Sequence, residues 1–334
     1  MNCACADNRV RGLFSILFSG VLMLLLAACG ASVGSGVVTV EPTYATVEAF
    51  DSMLSTATPT VAPTATPVQA RFAVIGDFGD SGPDEEAVAD LVKSWGVDFV
   101  VTTGDNNYFS GKAETIDENI GQYYHSFIHP YDGEYGAGAG DINRFFPALG
   151  GHDWEQPNAQ PHLDFFTLPG NERYYDVLWE PVHIFILDSN DKEPDGNTVT
   201  SVQGQWLQET MTASDAPWKI VVAHDPPFSS GRHGEHDHMK WPYAEWGASA
   251  VLSGDDHSYE RLIVDDLPYF VNGLGGARIY DFDEDEILEE SVVRFNETHG
   301  AMLVEATEES IRFRFITRDG ETVDDFVLER ESSE

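Results

Sequence analysis

Five apolar stretches in this chain each break into a short run that holds a carboxylate, an imidazole or a phenol. Phe72-Ala73-Val74-Ile75 leads into Gly76-Asp77-Phe78-Gly79-Asp80, and Val100-Val101-Thr102-Thr103 leads into Gly104-Asp105-Asn106-Asn107-Tyr108. Phe145-Phe146-Pro147-Ala148-Leu149 leads into Gly150-Gly151-His152-Asp153. Ile220-Val221-Val222-Ala223 leads into His224-Asp225, and Ala250-Val251-Leu252-Ser253 into Gly254-Asp255-Asp256-His257. Each apolar run is short enough for a buried strand. In open α/β sheets ligands sit beyond the carboxyl ends of the strands. One such junction reads equally well as an ordinary turn with a hydrogen-bonding Asp. Five of them, offering oxygen and nitrogen donors of the kind that hold metal ions, make a constellation.

The elements that would bring these ends together can be read from periodicity. After Asp77, Pro83 and the acidic Asp84-Glu85-Glu86 mark a helix N-terminus, and Val88, Leu91, Val92 and Trp95 recur at helical spacing. Strand, helix, strand makes a βαβ unit over 72–103 with metal-type residues at both strand ends. Residues 110–144 are loop-rich and aromatic, with a helix expected over 116–127 and a glycine-rich excursion over 133–140. Stretches 174–177 and 182–188 read as paired strands, and 202–211 as a helix feeding the strand that ends at His224. The tail alternates over 301–306, 310–317 and 322–329, as antiparallel strands do, and is expected to complete a second sheet. The loop over 229–241 carries His233, His236 and His238, spaced like solvated histidines or like groups that touch substrate or metal. His125 and His129 have no strand end behind them and read as structural or surface residues.

In order and in strand context, the five junctions resemble the motifs of the calcineurin-like metallophosphoesterases, and among these the purple acid phosphatase branch. That family's GDxG, GDxxY, GNH plus acid, VxxH and GHxH stand here as Gly76-Asp77-Phe78-Gly79, Gly104-Asp105-Asn106-Asn107-Tyr108, Gly150-Gly151-His152-Asp153, Val221-Val222-Ala223-His224 and Gly254-Asp255-Asp256-His257. The resemblance spans 71–330 and implies an α/β fold, a metallophosphoesterase-type β-sandwich of two mixed sheets flanked by helices. Carried over position by position, it implies that Asp77, Asp105, Tyr108 and His257 ligate one metal ion. Asp105 would bridge to a second ion that His224 helps to hold. The implied pair is iron, a hard trivalent ion suited to a phenolate, beside divalent zinc, manganese or iron; the implied substrate is a phosphate ester. His152 would be a charge-stabilising donor or general acid to the leaving oxygen, or would orient a ligand. His233-Gly234 resembles a pair that the family places near substrate.

Two positions depart from the pattern. Gly151 stands where the family has Asn and offers no side-chain ligand. Asp255 stands where the first His of GHxH is expected; it is a shorter, negatively charged oxygen ligand that favours hard ions such as Mn²⁺ or Mg²⁺. The resemblance implies a metal-dependent phosphoesterase, in the simplest case a phosphomonoesterase of acid phosphatase type with an altered second site. Two ions about 3.5–4 Å apart can activate hydroxide and clamp a phosphoryl group for in-line displacement. The alternatives are a mononuclear enzyme and a non-catalytic binding protein that keeps the fold.

Ahead of the folded part, Arg9 and Arg11 precede an apolar run over 13–28, short for a membrane span and suited to a signal peptide. Leu26-Ala27-Ala28-Cys29-Gly30 resembles a bacterial lipobox, which implies cleavage before Cys29, lipidation of Cys29 and an extracytoplasmic protein anchored to a membrane. The alternative is a retained N-terminal anchor helix. The division is then 1–28 signal peptide, 29–70 Thr/Pro-rich tether and 71–330 phosphoesterase domain; the tether is low in charge and punctuated by prolines. Cys3 and Cys5 fall in the segment that cleavage would discard, leaving no disulfide. A formal charge of −39 with only 18 Lys and Arg argues against nucleic acid as a routine partner and suits solubility outside the cell.

Overall fold

A computed structural model describes residues 70–282 and 285–330. The signal peptide, Cys29 and the tether up to residue 69 lie outside the described residues. In chain order the first strands are β1 (Ala70–Ile75), β2 (Phe99–Thr102), β3 (Phe145–Pro147), β4 (Tyr175–Trp179), β5 (Val182–Ile186) and β6 (Trp218–Val222). They are followed by β7 (Ala250–Ser253), β8 (Tyr259–Val264), β9 (Leu267–Asn272), β10 (Ser291–Phe295), β11 (Gly300–Ala306), β12 (Ser310–Thr317) and β13 (Thr322–Glu329). One sheet has the order β13-β12-β11-β1-β2-β3 and the other β10-β8-β9-β7-β6-β5-β4.

Within the first sheet β1, β2 and β3 run parallel, and within the second β5, β6 and β7 do so. The helix Pro83–Ser94 makes the crossover between β1 and β2, beginning where Pro83 and three acidic residues suit a helix N-terminus. Alternate side chains of β5 and β6 serve two cores. Ile184, Ile186, Ile220 and Val222 face the space between the sheets, whereas Phe185, Leu187, Val221 and Ala223 meet Leu207 and Met211 of the helix Val202–Ala213. The sheets are joined by aromatic pairs, Tyr259 with Phe315 at 4.2 Å and Phe270 with Phe313 at 4.9 Å between ring centroids. At the end that carries the motifs, Asn272 Nδ2 donates to the Val74 carbonyl (2.9 Å), linking β9 to β1. The carboxyl ends of β1, β2, β3, β6 and β7 therefore open toward one region.

The βαβ unit, the β4–β5 pair, the helix after residue 202 and the helical turns over Asp117–Phe127 lie where periodicity puts them. The tail strands do not form a second sheet. β11 pairs antiparallel with β1 (Phe72 opposite Val304), so the tail completes the sheet that holds β1 to β3. Alternation identifies neighbours along the chain but not which open edge they cover, and here they cover the free edge of β1. The β8–β9 hairpin was not legible either. Its two-residue turn has Asp265 at φ 49° and Asp266 at φ 64°, a left-handed pair that glycine usually supplies.

Candidate metal centre

The strand-end carboxylates leave their strands in the same way. Asp77, Asp105 and Asp255 all have left-handed backbone, at φ 54°, 53° and 66°. Asp tolerates this region better than most residues, and such conformations cluster at functional sites. The glycines before them allow loops of different strands to close on each other. A Cβ on Gly76 would stand 1.9 Å from Thr103 Oγ1, and one on Gly254 2.6 Å from Asp77 Oδ2. A Cβ on Gly150 would likewise stand 2.3 Å from both the backbone nitrogen and the Oδ1 of Asp105.

Four donor atoms converge between β1, β2 and β7. The Tyr108 hydroxyl lies 3.2 Å from Asp77 Oδ1, 3.1 Å from Asp105 Oδ2 and 3.0 Å from His257 Nε2. His257 Nε2 is 3.4 Å from Asp77 Oδ1. All four side chains are buried. The His257 Nδ1–H donates to the Arg278 carbonyl (2.6 Å), which turns Nε2 with its lone pair toward the cluster. His224 is held in the same way, Nδ1–H donating to the Thr103 carbonyl (2.9 Å). Its Nε2 is 3.5 Å from Asp105 Oδ2 and 3.7 Å from Asp255 Oδ1. Asp105 Oδ2 thus belongs to both sets of donors. Gly151 adds nothing to the second set, and among the described residues nothing beyond its chain neighbours lies within 4 Å of where its Cβ would be.

Burial and neighbouring charges shift the ionisable groups of this cluster away from their ordinary ranges. Burial raises the Asp105 carboxyl above its ordinary range, with His224 and His152 opposing and Asp77 adding to the effect. Burial, then Asp105 and Asp77, push the Tyr108 phenol well up. Burial alone would lower the His224 imidazole, but Asp105, Asp77, Asp255 and Asp225 carry it well above its ordinary value. The donor set of two carboxylates, a phenol and an imidazole fits a hard, highly charged ion; the second set, one imidazole and two carboxylates, fits a divalent ion with open positions.

Neighbouring residues fix the ligands. The His152 backbone N–H donates to Asp105 Oδ1 (2.8 Å). Asp153, buried after β3, accepts from the Asn106 side chain (2.8 Å) and from Gly150 N (2.9 Å), tying the β2 and β3 loops together. His152 lies at the mouth, its Nδ1–H donating to the Phe109 carbonyl (2.6 Å) and its Nε2 3.9 Å from Asp105 Oδ2. His233 is exposed at the rim, its ring 5.6 Å from that of Tyr280, which stacks on His257 at 4.2 Å. Asp256 anchors that rim by accepting from Ser229 Oγ (2.5 Å) and His233 N (2.7 Å). The structure thus gathers Asp77, Asp105, Tyr108, His224, Asp255 and His257, with His152 and His233 at the edge. Reading the sequence missed Asp256 and Tyr280. Asp256 sits inside a motif yet points away from the donors, and Tyr280 lies in a loop with no periodic signal.

A family model described as calcineurin-like phosphoesterase matches residues 70–259. Purple acid phosphatase 17 of Arabidopsis thaliana is 27% identical over 238 residues, which cover 61% of this chain and 68% of the relative. Tartrate-resistant acid phosphatase type 5 of Mus musculus is 25% identical over 243 residues, covering 61% and 72%. Among solved structures, purple acid phosphatase PPD1 from yellow lupin (Lupinus luteus) seeds superposes with a TM-score of 0.64 at 16% identity, over 80% of this chain and 55% of that one. GAP50, described as the anchor in the inner membrane complex of Plasmodium, gives a TM-score of 0.60 at 17% identity, over 79% and 90%. These two show the fold alone. With the motif order, the converging ligands and the matched family model together, this chain belongs to the calcineurin-like phosphoesterase family, on its purple acid phosphatase-like branch.

Proposed function

We propose that the chain is a phosphomonoesterase of acid phosphatase type with a dinuclear metal centre. The observation that carries this reading is the cluster of Asp77, Asp105, Tyr108 and His257, whose contacts run from 3.0 to 3.4 Å. These four residues would hold the first ion. Asp105, His224 and Asp255 would hold the second. The chemistry supplied by bound ions is Lewis acidity, which activates water and neutralises charge on phosphoryl oxygens. His152, fixed through Nδ1, presents Nε2 to the mouth; as imidazolium it can donate there to the leaving oxygen of an ester. His233, on the rim pinned by Asp256, would meet the substrate's outer part. We also place the protein outside the cytoplasm, lipid-anchored at Cys29, on the strength of the lipobox-like sequence.

Gly151 favours a second reading, a mononuclear or non-catalytic protein, because it leaves the second set one ligand short of the family pattern. The fold does not decide between the two. The deciding experiment is hydrolysis of p-nitrophenyl phosphate by chain reconstituted with iron plus zinc or manganese, beside an Asp105→Asn variant. The proposal expects turnover that falls at least ~100-fold in the variant, since even residues outside a metal's own ligands cost 10–100-fold. No turnover above that of the free metals, with any pair of ions, would leave the second reading standing.

A further inference from the structure

Beside the centre built on Asp105 lies another set of metal-type donors, Asp225, His236 and His238, one donor atom of each falling within 4.8 Å of the others. His238 Nε2 is 3.2 Å and His236 Nδ1 3.8 Å from the same oxygen, Asp225 Oδ2. All three side chains are partly open to solvent. Asp225 and His238 line a cleft of about 380 Å³ together with Ser189, Asn190, Asp191 and Asn197, and His236 approaches it through Asp225. Two imidazoles and one carboxylate with an open approach are a ligand set suited to zinc and its neighbours.

The other nitrogen of His236 meets a different carboxylate. His236 Nε2 lies 3.0 Å from Asp255 Oδ2, while Asp255 Oδ1 faces His224 at 3.7 Å. If Nε2 carries the proton, it donates to Asp255 and leaves the Nδ1 lone pair directed at Asp225. That arrangement, a carboxylate behind a histidine whose far nitrogen binds metal, is a recurrent way to orient a ligand. The aspartate at 255, where the family pattern has histidine, makes the link possible. His238 Nε2 also lies 3.1 Å from the Ser189 carbonyl, which already accepts from Asn197 Nδ2 (2.7 Å), so the carbonyl keeps a partner if His238 turns to an ion.

We propose that Asp225, His236 and His238 bind a further divalent transition-metal ion of the zinc class, coupled through Asp255 to the centre built on Asp105 but separate from it. The site does not depend on the phosphatase reading. Zinc content after equilibrium dialysis of the purified chain tests it in two paired comparisons: wild type with His238→Ala, and Asp105→Asn with the Asp105→Asn/His238→Ala double variant. The proposal expects one ion fewer per chain on losing His238 in both pairs. Equal contents in either pair overturn it, including the case in which His238 matters only while Asp105 is intact. Failure of the dinuclear reading would show differently, as no change between wild type and Asp105→Asn. His238→Gln guards against misfolding: its metal-free melting temperature should match wild type, while added zinc should raise wild type more. An equal rise in both also overturns the proposal.

Discussion

Replacing Gly151 with Asn restores the ligand type that the family pattern places there, and its consequences can be worked out from the site. Among the described residues nothing beyond the chain neighbours lies within 4 Å of the added Cβ, and the Gly151 backbone is not left-handed, so the substitution meets neither a clash nor strain there. Removing a glycine also narrows the unfolded ensemble, worth about 0.4–1 kcal/mol in favourable cases. The fold should therefore be unchanged or slightly firmer, with a melting temperature within about 4 °C of wild type. An added carbonyl ligand should tighten the second ion at least as much as groups outside the coordination sphere do, about 10–100-fold or ~1.4–2.7 kcal/mol. Equilibrium dialysis against Mn²⁺ and Zn²⁺, with the first ion already loaded and in a His238→Ala background, isolates this ion. Unchanged affinity with an intact fold would refute the reasoning: it would mean that position 151 supplies no ligand to an ion held by Asp105, His224 and Asp255.

Other expectations follow from the same geometry. Gly150→Ala should cost about 1–3 kcal/mol through its collision with Asp105, whereas Gly151→Ala should stay within about 0.5 kcal/mol; urea unfolding of both checks the contrast. Tyr108→Phe removes the phenol that meets Asp77, Asp105 and His257 and should weaken retention of trivalent iron about 10-fold or more, far beyond any effect on Mn²⁺, as read by iron content after dialysis against a chelator. Burial, with help from Asp105, raises the Asp153 carboxyl from 3.8 to about 6. The folded chain then holds more protons than the unfolded one between these values, so metal-free stability should fall as pH rises from about 4 to 6. Asp153→Asn should flatten that slope in a series of melts.

The sequence was most informative where a strand, a turn and a donor coincide. Asp77, Asp105, His224 and His257 were legible because an apolar run buried on both faces can only end at the sheet's edge, and a glycine beside a charged residue marks where the loops close. The helix Pro83–Ser94 announced itself by its proline, its acids and its apolar spacing. Partners across the sheets could not be read: β11 finds β1 from the far end of the domain, with Phe72 opposite Val304, and the Asp265-Asp266 turn hides its hairpin. The same limit applied to the second donor group. His236 and His238 are separated from Asp225 by a loop, and only the folded chain shows that one histidine faces both Asp225 and Asp255.

If Asp105 is shared by two ions, anomalous diffraction from crystals loaded with iron and zinc locates both directly. One peak is then expected among Asp77, Asp105, Tyr108 and His257. A second should lie about 3.5–4 Å away, within bonding distance of Asp105, His224 and Asp255. A single peak, or none, beside Asp105 would contradict that sharing.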